Sequence, residues 1–229
     1  MSTRNGIKNW ATLYKELTEA MEFNRDPAKA GPMAAYMKNR FVYLGISQPL
    51  RKELSKPFLI ESKQLTMEAV LEMAKQLWLL PEREYQYIAM ELLYANRKKW
   101  NTYSGTYFLQ LVTDKAWWDS VDFIASKLVG TWLAEETNRA VMKEWVKSDN
   151  IWQNRTALIF QLNYKNKTDV DFLFSAVRAL QHKKEFFVQK AIGWSLRQYH
   201  RTSPEQVEEF VETIGLSGLA RREALKHAG

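Results

Sequence analysis

The chain has 229 residues and a mass of 26.9 kDa, enough for one large domain or two small ones. With 9 Gly, 6 Pro and no Cys, it lacks the turn residues of an all-β fold, and disulfides, thiolate zinc sites and a cysteine nucleophile are excluded. The 33 Lys and Arg outnumber the 26 Asp and Glu, and the net charge of +7 favours an anionic partner, nucleic acid first.

Helical periodicity dominates the chain, and Pro or a small polar residue opens many of the segments. The predicted helices cover residues 7–23, 28–38, 49–60, 67–79, 82–97, 103–112, 117–129, 135–146, 149–163, 169–180, 184–200, 204–214 and 218–227. Their connections are too short for domain linkers, so a single domain over residues 1–229 is predicted.

No stretch approaches the ~18 apolar residues of a membrane helix, and the N-terminal residues lack the apolar core of a signal peptide. A cytoplasmic protein without membrane attachment is therefore expected. The sequence carries no oligomerisation signal, and a monomer is expected. The only histidines, His182, His200 and His227, are far apart in the sequence, so no metal site is predicted.

The helices fall into pairs that carry a repeated aromatic position. Tyr85, Trp118, Trp152 and Phe187 are 33, 34 and 35 residues apart, each near the start of the second helix of a pair. A repeat of about 33–47 residues built from two helices is the mark of an α-solenoid. The tetratricopeptide and ankyrin patterns are missing, which leaves the HEAT-like class. The predicted fold is all-α, an α–α superhelix of HEAT-like pairs with a concave basic face; an irregular helical bundle is the alternative.

The pair Trp118 and Asp122 is the first candidate site. The two residues are four apart on a predicted helix and share a face, whereas Asp119 is turned about 100° away. An indole beside a carboxylate suits a cation, although a core tryptophan with a helix-start charge is the alternative. As a surface carboxylate, Asp122 is expected to contribute little to stability.

A second candidate is the stripe of residues 183–201. Phe187, Lys190, Trp194, Arg197 and Arg201 fall within an arc of about 80° on a helix. Cations mixed with large aromatic rings are typical of a nucleic-acid surface, and a core stripe with basic residues at its margins is the alternative. Gly193, inside this helix, is expected to allow the close approach of a neighbouring helix or of a ligand.

Arg155 is the third candidate, at the repeat position that Lys190 occupies in the next pair. Its guanidinium could clamp a phosphate or pair with a carboxylate across repeats. Asp149 or Asn150 is the expected N-cap of its helix.

Several motifs together resemble the AlkD-type DNA alkylation repair glycosylases. They are residues 117–122 (WWDSVD), residues 148–152 (SDNIW), and residues 184–187 (KEFF) leading to Gly193 and Trp194. Residues 33–39, 44–46 and 80–84 fit the same family, and the resemblance extends from about residue 27 to residue 226.

This resemblance implies a HEAT-like solenoid whose concave basic face holds alkylated duplex DNA. It implies removal of cationic N3- and N7-alkylpurines, such as 3-methyladenine and 7-methylguanine, without metal or cofactor. By motif position, catalysis falls on Trp118, Asp122 and Trp194. The DNA-binding residues are expected to be Arg155, Lys190, Arg197, Tyr36 and Phe187. Asn163 stands where some relatives carry a basic residue, and Ser47 replaces a longer polar side chain, so these departures bear on the strength of the contacts with the DNA backbone more than on the chemistry.

Two other functions share these features. A non-enzymatic HEAT-like scaffold that binds nucleic acid or protein would use the aromatic residues as core and Asp122 as a structural partner. An RNA-binding solenoid would share the basic face. Base release from alkylated duplex DNA separates the first from a glycosylase, and competition between duplex DNA and RNA separates the second.

Overall fold

The structure is a computed structural model that describes residues 8–134 and 139–226. Across these residues the chain is helical, without β-strands and with one isolated β-bridge, between Val42 and Glu82. The all-helical fold that the sequence predicts is therefore confirmed. The chain forms two compact units, residues 1–104 and residues 105–229, and each is described by itself.

The first unit is built from five helices that the structure describes in full. They are α1 (Trp10–Phe23), α2 (Pro27–Tyr36), α3 (Gln48–Glu61), α4 (Met67–Leu79) and α5 (Arg83–Ala95), with 3₁₀ turns at Ser62–Gln64 and Arg97–Lys99. Thr66 caps α4 by accepting a hydrogen bond from the Ala69 amide. Helix α1 packs on α3 and α4, and α5 packs on the same two helices.

One buried carboxylate anchors a loop of the first unit to α5. Both oxygens of Glu84, which is 1% exposed, accept hydrogen bonds of 3.0–3.1 Å from the amides of Leu44, Gly45 and Ile46. The φ of Gly45 is +89°, and a Cβ at this position would overlap the carbonyl oxygen of Asp26. Residues 44–46 and 80–84, two of the motifs that carry the family resemblance, thus form one structural contact.

The second unit repeats a pair of helices. Its helices are α6 (Thr102–Leu111, which begins in the first unit), α7 (Trp118–Phe123), α8 (Gly130–Ala134), α9 (Ala140–Lys147), α10 (Ile151–Ile159), α11 (Val170–Leu180), α12 (Phe186–His200), α13 (Pro204–Thr213) and α14 (Gly218–Ala224). Helices α7, α10, α12 and α14 lie side by side in that order, and α9 packs on both α10 and α11. This stacking of second helices is the arrangement that the aromatic repeat predicts.

A π-helical turn, Ile124–Val129, joins α7 to α8, so the helix predicted for 117–129 continues to Ala134. Two side chains from the loop after α10 bind carbonyl groups of this region. Asn163 Nδ2 donates to the Ser126 carbonyl at 2.9 Å, and the Tyr164 hydroxyl donates to the Gly130 carbonyl at 2.7 Å. Asn163, at the position where some relatives carry a basic residue, therefore binds a structural partner within the protein.

The largest differences from the predicted boundaries occur around α9 and α10. The predicted helix 135–146 is observed as Ala140–Lys147, and residues 135–138 lie outside the described residues, as does His227. Helix α10 ends at Ile159 instead of residue 163. A 3₁₀ turn, Lys165–Lys167, follows, and Lys165 has a left-handed φ of 54°, so the chain changes direction there before α11 begins.

Candidate functional site

A bidentate ion pair between Asp122 and Arg155 forms the centre of the site. Arg155 Nε donates to Asp122 Oδ1 at 2.6 Å, and Arg155 Nη2 donates to Asp122 Oδ2 at 2.9 Å. The side chain of Arg155 is 6% exposed, and that of Asp122 is 21% exposed. Of the two roles open to Arg155, the structure shows the pairing with a carboxylate. It also corrects the expectation for Asp122, which is largely buried instead of lying on the surface.

Helix geometry delivers these two side chains to the same place. Asp122 lies one turn into α7, and Arg155 lies one turn into α10, where Asn150 is the N-cap and accepts from the amides of Trp152 and Gln153. Because α7 and α10 are neighbours in the second unit, residues one turn into each helix can meet.

Arg155 also reaches the third helix of the row. Its Nη1 donates to the carbonyl oxygen of Phe187, at the start of α12, at 2.6 Å. Its guanidinium carbon lies 6.0 Å from the ring centroid of Trp194 and 6.0 Å from that of Phe187. One buried guanidinium thus ties α7, α10 and α12 together, using donors on all three nitrogens.

The environment of Asp122 sets its protonation. Burial raises the pKa of Asp122 above its usual value, the hydrogen bonds and charge of Arg155 oppose this, and the charge of Asp119 adds to the rise. Arg155 therefore favours the ionised carboxylate at a position where burial disfavours it.

One indole lies against the ion pair, and a second is placed on the same helical face as Asp122 by its spacing. Trp194 is half-buried and lies against Arg155. Trp118, also half-buried, is four residues before Asp122 on α7, so helical spacing places both on one face. The structure thus brings Asp122, Arg155 and Trp194 together, and α7 keeps Trp118 on the side of Asp122.

An aromatic cluster packs beside the ion pair. The ring centroids of Trp117, Trp152 and Phe187 are 5.0–5.6 Å apart, and that of Phe186 lies 5.4 Å from Phe187. Phe187, predicted to bind DNA, is half-buried within the cluster, whereas Phe186 is 59% exposed. In the row of repeats, the residue that contacts Trp152 and Phe187 is Trp117, the N-cap of α7, one position before the residue that the spacing indicated.

The two cations predicted on the α12 stripe share an acidic partner that the sequence did not reveal. Lys190 Nζ lies 2.9 Å from Glu223 Oε1, and Arg197 Nη1 lies 2.8 Å from Glu223 Oε2 and donates to the Glu223 carbonyl at 2.7 Å. Hydrogen bonds from both cations lower the pKa of Glu223 to about 2. The side chains of Lys190 and Arg197 are 37% and 20% exposed, so Lys190 is the more accessible to a phosphate.

Gly193 explains how α14 comes so close to α12. A Cβ at this position would overlap the Cβ of Glu223 and lie 2.9 Å from the carbonyl oxygen of Ala220. Of the two roles expected for Gly193, the structure shows the close approach of a neighbouring helix.

The remaining expected contacts lie in the first unit. Tyr36 ends α2 and is 71% exposed. Ser47 is the N-cap of α3 but makes no side-chain capping bond. Within residues 8–134 and 139–226, no group of three or more acidic or histidine side chains could hold a metal ion. No described helix is both long enough and apolar enough to cross a bilayer.

Comparison with known proteins found a matching family and a similar solved structure. The model of a family described as DNA alkylation repair enzyme matches residues 17–228. A solved structure described as a predicted DNA alkylation repair enzyme from Enterococcus faecalis is 39% identical and superposes with a TM-score of 0.84, covering 90% of this chain and 97% of its own. A search of curated proteins found no match.

Proposed function

The chain belongs to the family of DNA alkylation repair enzymes, and on that premise we propose that it is a DNA glycosylase. Its proposed substrates are cationic N3- and N7-alkylated purines in duplex DNA, including 3-methyladenine and 7-methylguanine, and its proposed role is base excision repair of alkylation damage. The proposal rests above all on Asp122, a partly accessible carboxylate that Arg155 fixes on the Trp118 face of α7.

The chemistry requires a carboxylate but no general acid. Alkylation at N3 or N7 makes the purine cationic, so when the glycosidic bond breaks its electron pair leaves with a base that becomes neutral. Positive charge then develops on the sugar, and a fixed negative charge beside it stabilises the transition state. Water attacks the anomeric carbon and loses a proton, yielding an abasic site and a free base. Burial makes Asp122 a stronger base than an ordinary aspartate, which suits it to accept that proton.

In this mechanism Arg155 is a positioning residue. It holds both carboxylate oxygens from one side, and each oxygen keeps a second acceptor site for the attacking water or the sugar. The indoles of Trp118 and Trp194 exclude bulk water and contribute cation–π attraction to the cationic nucleotide. The chemistry needs neither metal nor cofactor.

DNA binding is assigned in the same proposal to Lys190, Arg197, Tyr36 and Phe187. The net charge of +7 favours a polyanion, and Lys190 retains an exposed ammonium beside Glu223. Arg155 is reassigned from phosphate binding to the support of Asp122, because each of its three nitrogens already donates a hydrogen bond within the protein. The cytoplasmic location and the monomeric state stay predictions.

The decisive experiment measures base release from duplexes that differ only in one nucleotide. We expect release of 7-methylguanine and 3-methyladenine, and no efficient release of uracil or 8-oxoguanine, because the protein supplies no acid to protonate a neutral leaving group. Efficient uracil release would refute the mechanism. Duplex binding without any base release would favour the non-enzymatic scaffold, in which the Asp122–Arg155 pair is purely structural. Preference for RNA over duplex DNA at fixed salt would favour an RNA-binding solenoid.

A further inference from the structure

A basic cavity lies at the C-terminal end of α5, built only from residues of the first unit. Its volume is about 400 Å³, and it is called here the α5-end cavity. The residues that line it are Lys63, Ala95, Asn96, Arg97, Lys98 and Lys99. Four of these six are cations, and none of the described residues that line it is acidic.

Lys99 occupies a fixed position in this cavity. Its ammonium donates to the carbonyl oxygens of Lys63 and Leu65 and to Asn96 Oδ1, at 2.7–3.1 Å. Asn96 is itself held, because its Nδ2 donates to Ser62 Oγ and to the Leu92 carbonyl. All three donors of Lys99 therefore bind neutral acceptors, and burial lowers the pKa of Lys99 because no anion compensates its charge.

The other cations are exposed and stand around this fixed charge. Arg97 lies over the Tyr94 ring at 4.8 Å from the centroid, which holds its guanidinium near the cavity. Lys63 and Lys98 make no ion pair within the described part of the chain. The negative end of the α5 helix dipole explains why one cation, such as Lys99, lies at the C-terminal end of this helix. It does not explain the presence of three further cations.

We propose that the α5-end cavity is a phosphate-binding site that takes the phosphodiester backbone of duplex DNA, separate from the residues of the proposed reaction centre. Lys99 and Arg97 supply positioned charge, and Lys63 and Lys98 supply mobile charge that closes around a phosphate. The proposal rests on the proposed function only for the identity of the polyanion.

The test uses undamaged duplex, so it does not depend on base release. The double variant Lys63→Gln/Lys98→Gln removes two charges that have no ion pair to lose in the described structure. Each phosphate contact contributes about 0.9 to the slope of log K against log salt, so two contacts lower that slope by about 1.8 and the affinity near 0.1 M salt by roughly 10- to 60-fold. Tm is expected to be unchanged, which shows that the fold is intact.

The control is Lys143→Gln/Lys147→Gln, on α9, which removes the same charge from a helix that carries none of the site residues and breaks only the exposed ion pair of Lys147 with Glu144. Its slope is expected to stay close to that of the unmodified protein. Equal losses in both variants, or no loss in either, would overturn the proposal.

Inorganic phosphate, titrated alone and followed by ³¹P line width, separates the two sources of a phosphate group. Saturable phosphate binding that Lys63→Gln/Lys98→Gln abolishes, together with a duplex salt slope that the same variant leaves unchanged, would assign the cavity to a free phosphate and overturn the duplex assignment. If the protein releases no base but Lys63→Gln/Lys98→Gln still lowers the salt slope of duplex binding, the proposed glycosylase activity is refuted and the proposed phosphate-binding site is supported.

Discussion

Replacing Asp122 by Asn tests charge and shape separately, and the structure predicts losses of both activity and stability. The amide keeps one acceptor for Arg155 but turns an NH₂ group towards its second donor, leaving a guanidinium that is 6% exposed without an anion. Removing one partner of a fully buried pair costs about 3–5 kcal/mol; because Asp122 is 21% exposed, we expect about 2–3 kcal/mol. In a protein of this size that lowers Tm by about 4–12 °C.

The same substitution is expected to slow base release by roughly 10²–10³-fold, the usual cost of losing one electrostatic contact to a transition state. Lower stability alone does not slow single-turnover release at a temperature well below Tm. The two losses therefore need a variant that separates them.

The double variant Asp122→Asn/Arg155→Gln provides that separation. It removes both charges and leaves two amides able to hydrogen-bond, so no buried charge lacks a partner. We expect it to regain most of the lost Tm and none of the lost rate. Asp119→Asn is the control for charge, because Asp119 adds to the local field without binding Arg155, and it is expected to cost much less.

The assay is single-turnover release of 7-methylguanine from duplex DNA, with Tm and DNA affinity measured for each variant. The DNA affinity of Asp122→Asn should be unchanged or higher, because the substitution removes a negative charge from a surface that is expected to contact phosphates. Release at a near-normal rate by Asp122→Asn or by the double variant would refute the catalytic assignment and leave Asp122 as a structural partner of Arg155.

Four further outcomes are expected. Base release should slow as pH falls through the raised pKa of Asp122. Arg155→Gln should shift this acidic side of the pH–rate profile to higher pH, because the group that lowers the pKa of Asp122 is gone. A profile that does not shift would contradict the positioning role of Arg155. Glu223→Gln should free Lys190 and Arg197 and tighten duplex binding with a steeper salt slope, whereas Glu212→Gln, which loses only the Arg221 pair, should not. The pKa of Glu223 is lowered to about 2 in the folded protein, so its contribution to stability is present at pH values above its pKa in the unfolded chain and is lost as pH falls towards 2. The Tm difference between the unmodified protein and Glu223→Gln should therefore shrink in acid. Gly193→Ala should lower the unfolding free energy by about 1–3 kcal/mol, measured by denaturant titration, through overlap with α14.

The sequence was sufficient for the helices and for the spacing of the site. The repeated aromatic residues each lie in the first turn of the second helix of a pair, because a sequence repeat places equivalent residues at the same point of each helix. They are Tyr85, Trp118, Trp152 and Phe187. The pairing of Arg155 with a carboxylate was one of two alternatives, and only the side-by-side packing of α7 and α10 decides between them.

Other features depend on contacts that no local pattern reports. Glu223 follows Arg197 by 26 residues on a different helix, and Gly193 gave the only hint that a helix would approach there. The sequence does not predict that Asp122 is largely buried, because helical spacing determines which face of a helix a residue occupies but not how deeply that face is covered by other helices. The burial of Asp122 depends on α10, whose Arg155 guanidinium binds both carboxylate oxygens.

The π-helical turn after Asp122 makes this part of the chain sensitive to length as well as to composition. A π turn accommodates more residues per turn than an α-helix, and successive α-helical residues differ by about 100° in direction. Deleting one residue within Ile124–Val129 would leave Asp122 facing Arg155 but rotate everything after it, separating Gly130 from Tyr164 and Ser126 from Asn163. Insertions and deletions should therefore be tolerated poorly in this turn, even where substitutions of its half-buried side chains, Ser126 and Lys127, are tolerated well.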